Sequence, residues 1–217
     1  MKKSIIAIGA LCVAALPLAA QAADHPESGW YLGVTGGVSS YGNSSDDERN
    51  FESQAASQGL QATANVDDNA TAWGVGGGYQ FNRYVAVEVN YIDLGNATAD
   101  LFVTSPAVFT IHQDMRAKGE TLDVIGMYPV SDMVSIFVKG GLFSYKLDQT
   151  ASANVPVPPV SVSASGTTFD LGVGVDLRFT DLLGLRAGLT QYHGVGDDNT
   201  TGKFNLGLAY AQLVLHF

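Results

Sequence analysis

The 217-residue sequence has one cysteine, Cys12. A lone cysteine closes no intrachain disulfide. This one lies in a leader segment, so the processed chain is expected to carry no thiol chemistry. Charge is also scarce. Asp, Glu, Lys and Arg make up 15% of the chain, against about 25% in ordinary soluble domains. Basic charge is the scarcer sign, with 11 Lys and Arg against 21 Asp and Glu. Without Lys2 and Lys3 the balance is 9 to 21, a net charge of −12. That argues against nucleic acid as a partner, because its phosphates are held by Lys and Arg. No run of 18 apolar residues follows Ala22, so no spanning helix is expected there.

The leader reads MKKSIIAIGALCVAALPLAAQA. Lys2 and Lys3 form a basic start, Ile5 to Ala20 an apolar stretch, and Ala20-Gln21-Ala22 fits the small-x-small cleavage pattern. Residues 1–22 are expected to be a secretory signal peptide, and residues 23–217 the single mature domain. The apolar stretch is short for a retained anchor. Leu11 is too large for a lipoprotein site at Cys12.

Glycine is abundant, at 25 residues, and Val, Tyr and Phe are plentiful. This favours strands. Reading for period 2 predicts eight, at about 29–39, 71–81, 84–94, 117–128, 133–146, 167–179, 182–192 and 203–217. Each is long enough to cross a bilayer when tilted. Short corners at Asn82-Arg83, Pro129 to Asp132 and Thr180-Asp181 alternate with four long polar connections. One of these, Asp148 to Gly166, contains the tract ASANVPVPPVSVSASG. Short turns on one side and long loops on the other suit an outer-membrane barrel, with periplasmic turns and extracellular loops.

The stretch GGYQFNRYVAVEVNYIDLG, residues 77–95, poses the decisive question. Val85, Val87, Val89 and Tyr91 alternate with Ala86, Glu88 and Asn90. In a soluble sandwich the valines turn inward; in a membrane barrel they meet lipid and Glu88 enters the lumen. Across the chain one parity collects apolar residues such as Leu32, Val75, Leu122, Val138, Leu171 and Leu189. Trp30, Phe81, Tyr128, Phe179 and Phe217 fall at the periplasmic ends of that parity, with Trp73 and Tyr91 toward the other rim. This is the pattern of an aromatic girdle. The opposite parity mixes glycines with Gln80, Glu88, Asn90, Asp123, Lys139, Asp170, Asp176, Arg178 and Arg186. Small and charged residues fill a narrow eight-stranded interior. The expected fold is therefore all-β: an eight-stranded antiparallel up-and-down transmembrane barrel. One strand conflicts. Leu213, Leu215 and Phe217 place odd residues toward lipid, whereas Leu206, Leu208 and Tyr210 ask for even ones. A bulge near Ala209 to Gln212 is expected to reconcile them.

The segments SGWYLGVTGGVSSYG, GGYQFNRYVAVEVNYIDLG, MYPVSDMVSIFVKGGLFSYK, FDLGVGVDLRFTDLLGLRAGLTQY and NLGLAY together resemble the outer membrane protein A family of transmembrane barrels. The resemblance runs in order over nearly all of the mature chain. It implies an integral protein of the Gram-negative outer membrane, in contact with lipid and lipopolysaccharide. It also implies delivery by periplasmic chaperones and insertion by the barrel-assembly machinery, which reads a terminal strand like Leu213-Leu215-Phe217. By motif position Glu88, Asp176 and Arg186 match family gating charges. The family's strand-4 lysine falls on Ile125, which leaves Asp176 without its expected partner, and Lys139 is a substitute. Glu88, Lys139, Asp176 and Arg186 are thus the expected lumen charge network. Two pairings stay open: Glu88 with Arg186, or Glu88 with Lys139 and Arg186 with Asp176. Full-length members add a peptidoglycan-binding domain, a role not expected of a chain ending at Phe217.

The implied function is a structural, monomeric envelope barrel with at most a narrow, charge-plugged pore. The alternative is a binding module whose loops contact extracellular ligands. A lipid A-modifying barrel enzyme is the remote alternative. Enzymatic hydrolysis needs a nucleophile beside a base; of His25, His112, His193 and His216 only His112 and His193 are expected at the extracellular side, and neither sits in a recognisable serine-containing pattern. No cofactor is expected. Asp46-Asp47-Glu48 and Asp197-Asp198-Asn199 lack the spacing of a dedicated Ca²⁺ or Mg²⁺ site and read as solvated loop charge.

Overall fold

The computed structural model describes residues 28–42, 53, 56, 57, 61–105, 108–155, 158–197 and 201–217. The leader, His25, Asp46-Asp47-Glu48, Asp198 and Asn199 lie outside the described residues. Nine strands follow one another: β1 Gly29–Ser40, β2 Gln61–Asp67, β3 Asn69–Asn82, β4 Val85–Ser105, β5 Phe109–Pro129, β6 Val134–Ala153, β7 Val160–Arg178, β8 Leu183–Asp197 and β9 Gly202–His216. All pairings are antiparallel. The hydrogen-bonded order β4-β3-β1-β9-β8-β7-β6-β5 returns to β4, so eight strands close a ring. The expected up-and-down barrel is the observed fold.

The added strand, β2, corrects the expectation that residues 40–70 form only a polar loop. Asp68 alone separates β2 from β3. β2 pairs with the upper half of β4, Thr98 to Ser105. Two other long connections are corrected likewise. β4 and β5 continue as a ladder up to Val103↔Phe109, and β6 and β7 up to Ala151↔Val160. Once a neighbouring strand satisfies the backbone, a Ser/Ala/Val tract is as good a strand as any.

The short turns are built by local chemistry. Asn82 Oδ1 accepts from the backbone N–H of Tyr84 and Val85 at 2.8 and 3.0 Å. Ser131 Oγ accepts from Val134 N at 3.2 Å, and Thr180 Oγ1 from Leu183 N at 2.9 Å. In each turn a short polar side chain stands in for a backbone acceptor. Toward its upper half β4 carries a register shift between Asp93 and Asn96, where Gly95 adopts a φ of 76°. That left-handed conformation favours glycine.

The barrel is inverted relative to a soluble protein. Leu32, Val34, Val89, Leu122, Val138 and Leu171 are all more than half exposed on the outer wall. The outward rows turn polar at Glu120 on β5, Ser144 on β6, Thr167 on β7 and Gln191 on β8, which marks the outer rim of the apolar band. The girdle residues Trp30, Phe81, Tyr128, Phe179, Phe217 and Trp73 are exposed on the same wall. Trp30 and Tyr79, and Tyr79 and Phe81, meet edge-on at 5.1 Å. Tyr91, partly covered, lies 5.8 Å from Trp73.

The last strand corrects a second expectation. β9 pairs with β1 and with the lower part of β8 without any shift from Leu206 to Leu215, so no bulge lies near Ala209 to Gln212. Leu206, Leu208 and Tyr210 simply point inward, and Leu213 and Leu215 outward. The upper lumen accepts them because it is itself apolar. The register shift in the β8–β9 pairing lies instead on β8, between Tyr192 and Val195.

Candidate functional site

Inside the ring the side chains stack in levels. At the mouth beside the short turns Arg178 Nη2 donates to Gln80 Oε1 at 2.8 Å and lies 2.9 Å from His216 Nε2. Above it Tyr31, Ala86, Ile125, Met127, Phe137 and Val214 form an apolar cluster. Ile125 is fully buried there.

The next level holds the charges. Arg186 faces Asp176 on β7 and Gln212 on β9 as direct register partners, so all three point the same way by strand geometry alone. Arg186 Nε donates to Asp176 Oδ2 at 3.0 Å, and Nη1 donates to Gln212 Oε1 at 3.3 Å. From the far wall Glu88 Oε2 accepts from Arg186 Nη1 at 2.6 Å. The guanidinium also lies 5.5 Å from the ring centre of Tyr31 and 5.4 Å from that of Phe137, within the range of cation–π attraction. Arg186 and Glu88 each retain 3% of their accessible surface.

Lys139 takes a different set. Its Nζ donates to Asp123 Oδ2 at 3.0 Å and lies 3.9 Å from Asp170 Oδ1. A polar chain joins the two groups: Asn90 Nδ2 donates to Glu88 Oε1 at 2.8 Å and to Thr121 Oγ1 at 3.3 Å, and Thr121 Oγ1 donates to Asp123 Oδ2 at 2.9 Å. The four expected residues therefore divide. Glu88, Asp176 and Arg186 meet; Lys139 stands with Asp123 and Asp170 instead. Asp123, Asp170, Asn90 and Thr121 carry the lumen parity in the sequence, but which strands face each other across the ring is not written in any one strand. Beside these charges lies a cavity of about 20 Å³ bordered by Glu88, Asn90, Thr121, Lys139, Tyr192 and Tyr210. That is room for about one water.

Over this level lies a second seal that the parity reading missed. Leu94, Phe143, Leu147, Tyr192, Val195 and Leu206 are all at most 1% exposed and pack as one cluster. Phe143 and Tyr192 have ring centres 4.4 Å apart. Tyr41 ties the cluster to the wall, donating to Gly95 O at 2.8 Å and accepting from Ala117 N at 2.9 Å.

The model for the OmpA-like transmembrane domain family matches residues 25–217. The chain belongs to this family. It is similar to outer membrane protein A of Escherichia fergusonii, at 27% identity over 216 residues, covering 97% of this chain and 55% of the relative. It is also similar to outer membrane protein A of Shigella flexneri, at 29% identity over 224 residues, covering 97% of this chain and 56% of the relative. The chain thus spans about half the length of the curated relatives it matches. The N-terminal β-barrel domain of Pseudomonas aeruginosa OprF is similar to 86% of this chain over 97% of its own length, at 14% identity and a TM-score of 0.46. The protein is accordingly an outer-membrane β-barrel of the OmpA-like family.

The other residues singled out in the OmpA-like sequence fall as follows. Phe217 exchanges backbone hydrogen bonds with Trp30 at 3.0 and 3.2 Å, closing the seam between β9 and β1. His112, on the part of β5 above the apolar band, lies 2.6 Å from Asp100 and 3.5 Å from Asp114. The hydrogen bond to Asp100, helped by the charge of both carboxylates, holds its imidazole above the ordinary value. His193 stacks on Phe169 at 4.5 Å. Among the described residues neither ring is hydrogen-bonded to a serine hydroxyl, and no group of three or more His, Cys, Asp or Glu is arranged to hold a metal ion.

Proposed function

We propose that the protein is a monomeric structural element of the Gram-negative outer membrane, with at most a narrow and normally closed pore. The observation that carries this reading is the Arg186 clamp. One cation is held by carboxylates from two walls, Glu88 and Asp176, and the cavity that adjoins Glu88 and Gln212 measures about 20 Å³. A hydrated ion does not pass a gap sized for one water without breaking those contacts. In this reading residues 1–22 are the signal peptide and are removed on export, and residues 23–217 form the barrel domain. The outward wall contacts lipid and lipopolysaccharide. Leu213, Leu215 and Phe217 present the terminal strand to periplasmic chaperones and the assembly machinery. The lumen charges serve stability and closure rather than catalysis, and no cofactor takes part.

Single-channel recording of the refolded barrel in a planar bilayer tests the proposal. The expected trace has no steady opening and at most rare small steps. A large, steady conductance in the unmutated protein would overturn it.

A second reading is favoured by one observation. β4 to β7 run roughly ten residues beyond the apolar band as paired strands, a surface far larger than closure of a barrel requires. In this reading the hairpins bind extracellular ligands. Deleting the β6–β7 hairpin above Phe143 and Thr168 should abolish such binding and leave the barrel folded.

A further inference from the structure

The two sides of β7 are unequal. Toward β6 its ladder runs unbroken from Leu177 to Val160. Toward β8 it stops at Asp170↔Tyr192. Val160 to Phe169 thus has a strand on one side and, among the described residues, none on the other. Ten residues make an edge of about 33 Å. At the fork itself Thr168 Oγ1 donates to the backbone oxygen of His193. Above it β8 departs through the shift between Tyr192 and Val195, with Gly194 at a φ of 61°. Gly196 on β8 and Thr201 just before β9 are tied instead to the inward face of β6, where Tyr145 donates to Gly196 O at 2.8 Å and Gln149 to Thr201 O at 3.3 Å.

The edge is also undefended. Natural edge strands are blunted by Lys, Pro, inward charges or bulges. Val160 to Phe169 reads VSVSASGTTF and has no charged residue and no proline. Its pairing with β6 has no register shift. Ser161, Ser163, Ser165 and Thr167 point outward, and Val162, Ala164 and Gly166 inward.

We infer that the β7 edge is a docking site for an extended segment of another polypeptide, added as an antiparallel strand in the place that β8 vacates above Tyr192. The inference deepens the second reading above and rests on the hairpins standing outside the membrane. The register and direction of the added strand are already set by β8 below, so the backbone supplies the affinity and alternate side chains the selectivity. The complementary segment is alternately apolar and basic. Its apolar residues continue the inward row of Val162 and Ala164. Its basic residues join the hydroxyl row on a chain with 21 acidic against 11 basic side chains; on β6 beside that row Asp148 and Lys146 offset each other as an ion pair at 3.3 Å. A second copy in the same membrane is not the occupant. All copies insert with β7 running the same way, so two such edges related by an axis along the membrane normal cannot meet antiparallel.

The test uses the refolded barrel in a zwitterionic detergent and a fluorescent decapeptide of alternating valine and lysine. Anisotropy reads binding, and amide hydrogen exchange reads its place. The expected result is saturable binding with exchange slowed roughly tenfold at alternate amides between Val160 and Phe169. Binding should weaken by roughly tenfold for a peptide N-methylated at every second nitrogen, for a glutamate version, and for the Ser163→Lys/Ser165→Lys barrel. Both serines point outward, so that barrel should keep its heat-modifiable fold; should it not, Ser163→Glu, expected to tighten the lysine peptide and weaken the glutamate one, takes its place. Absence of binding, indifference to N-methylation, or concentration-dependent pairing of the barrel through the same amides would overturn the inference. Protection that maps to the β4–β5 hairpin would overturn the edge while retaining the hairpins as a binding surface.

Discussion

Arg186→Ala should destabilise the barrel more than Glu88→Ala, and the asymmetry follows from the contacts. Arg186 is shared by Glu88 at 2.6 Å, Asp176 at 3.0 Å and Gln212 at 3.3 Å. Removing Glu88 leaves the guanidinium with Asp176 and Gln212, so the loss is that of one charge-assisted hydrogen bond, about 1.5–3 kcal/mol. Removing Arg186 instead leaves two carboxylates, both nine-tenths or more covered, without their cation. Breaking a buried pair in that way costs about 3–5 kcal/mol. In the Glu88→Ala background the arginine deletion should cost less, because one of the two carboxylates is already gone. The coupling should fall at about 1–3 kcal/mol, the range for side chains in direct contact. Urea unfolding of refolded protein, followed by the fluorescence of Trp30 and Trp73, measures all four members of the cycle. Equal losses for the two single variants, or losses that simply add, would refute the shared clamp. They would favour the sequence-level alternative, in which Lys139 serves Glu88.

Lys139→Met should lower stability by about 3 kcal/mol, since it leaves Asp123 and Asp170 facing each other without a cation; an unchanged urea midpoint would contradict the second charge group. Gly76→Ala should already impair folding, because a methyl there would run into the side chain of Asn90 and the backbone oxygen of Val89; refolding yield on a heat-modifiability gel reads it, and Gly76→Arg should fare worse. The His112 contact should be pH-dependent. Its pKa is raised in the folded state, so its stabilisation is fully present below the unfolded value of about 6.5 and is lost as pH rises through the folded value. Amide exchange near Asp100 and Asp114, corrected for the intrinsic rate, should therefore show less protection at pH 9 than at pH 5.5. Equal protection at the two would refute it.

The outer wall was legible in the sequence and part of the interior was not, for one physical reason. Period 2 identifies a strand's two faces only when they differ in polarity. On β4 the valines and Glu88 differ, and the sides assign themselves. On β9 the run NLGLAYAQLVLHF has apolar residues on both faces, because Leu206 and Leu208 pack in the upper lumen seal while Leu213 and Leu215 meet lipid. The sequence then offered a bulge where the structure simply has apolar residues inside. The hairpin tract ASANVPVPPVSVSASG looked like a loop because its residues are small and polar, yet most of it pairs as β6 and β7. The pairing of charges across the lumen was equally hidden. Ile125 in place of a lysine suggested an unpaired Asp176, but Arg186 lies opposite it in the ladder and reaches both carboxylates.

The central claim is that the apolar row meets lipid and the charged row fills the barrel. Residues 23–217 contain no cysteine, so single thiols can be introduced without removing any. Ile136→Cys, Phe137→Cys and Val138→Cys on β6, each refolded into lipid vesicles, should be exposed to a lipid-soluble thiol reagent. Ile136 and Val138 are about half exposed or more on the outer wall, whereas Phe137 is 3% exposed beneath Arg186. Positions 136 and 138 should react readily and position 137 should stay protected. Reaction at 137 with protection at 136 and 138 would place the valines inside and contradict the barrel as described.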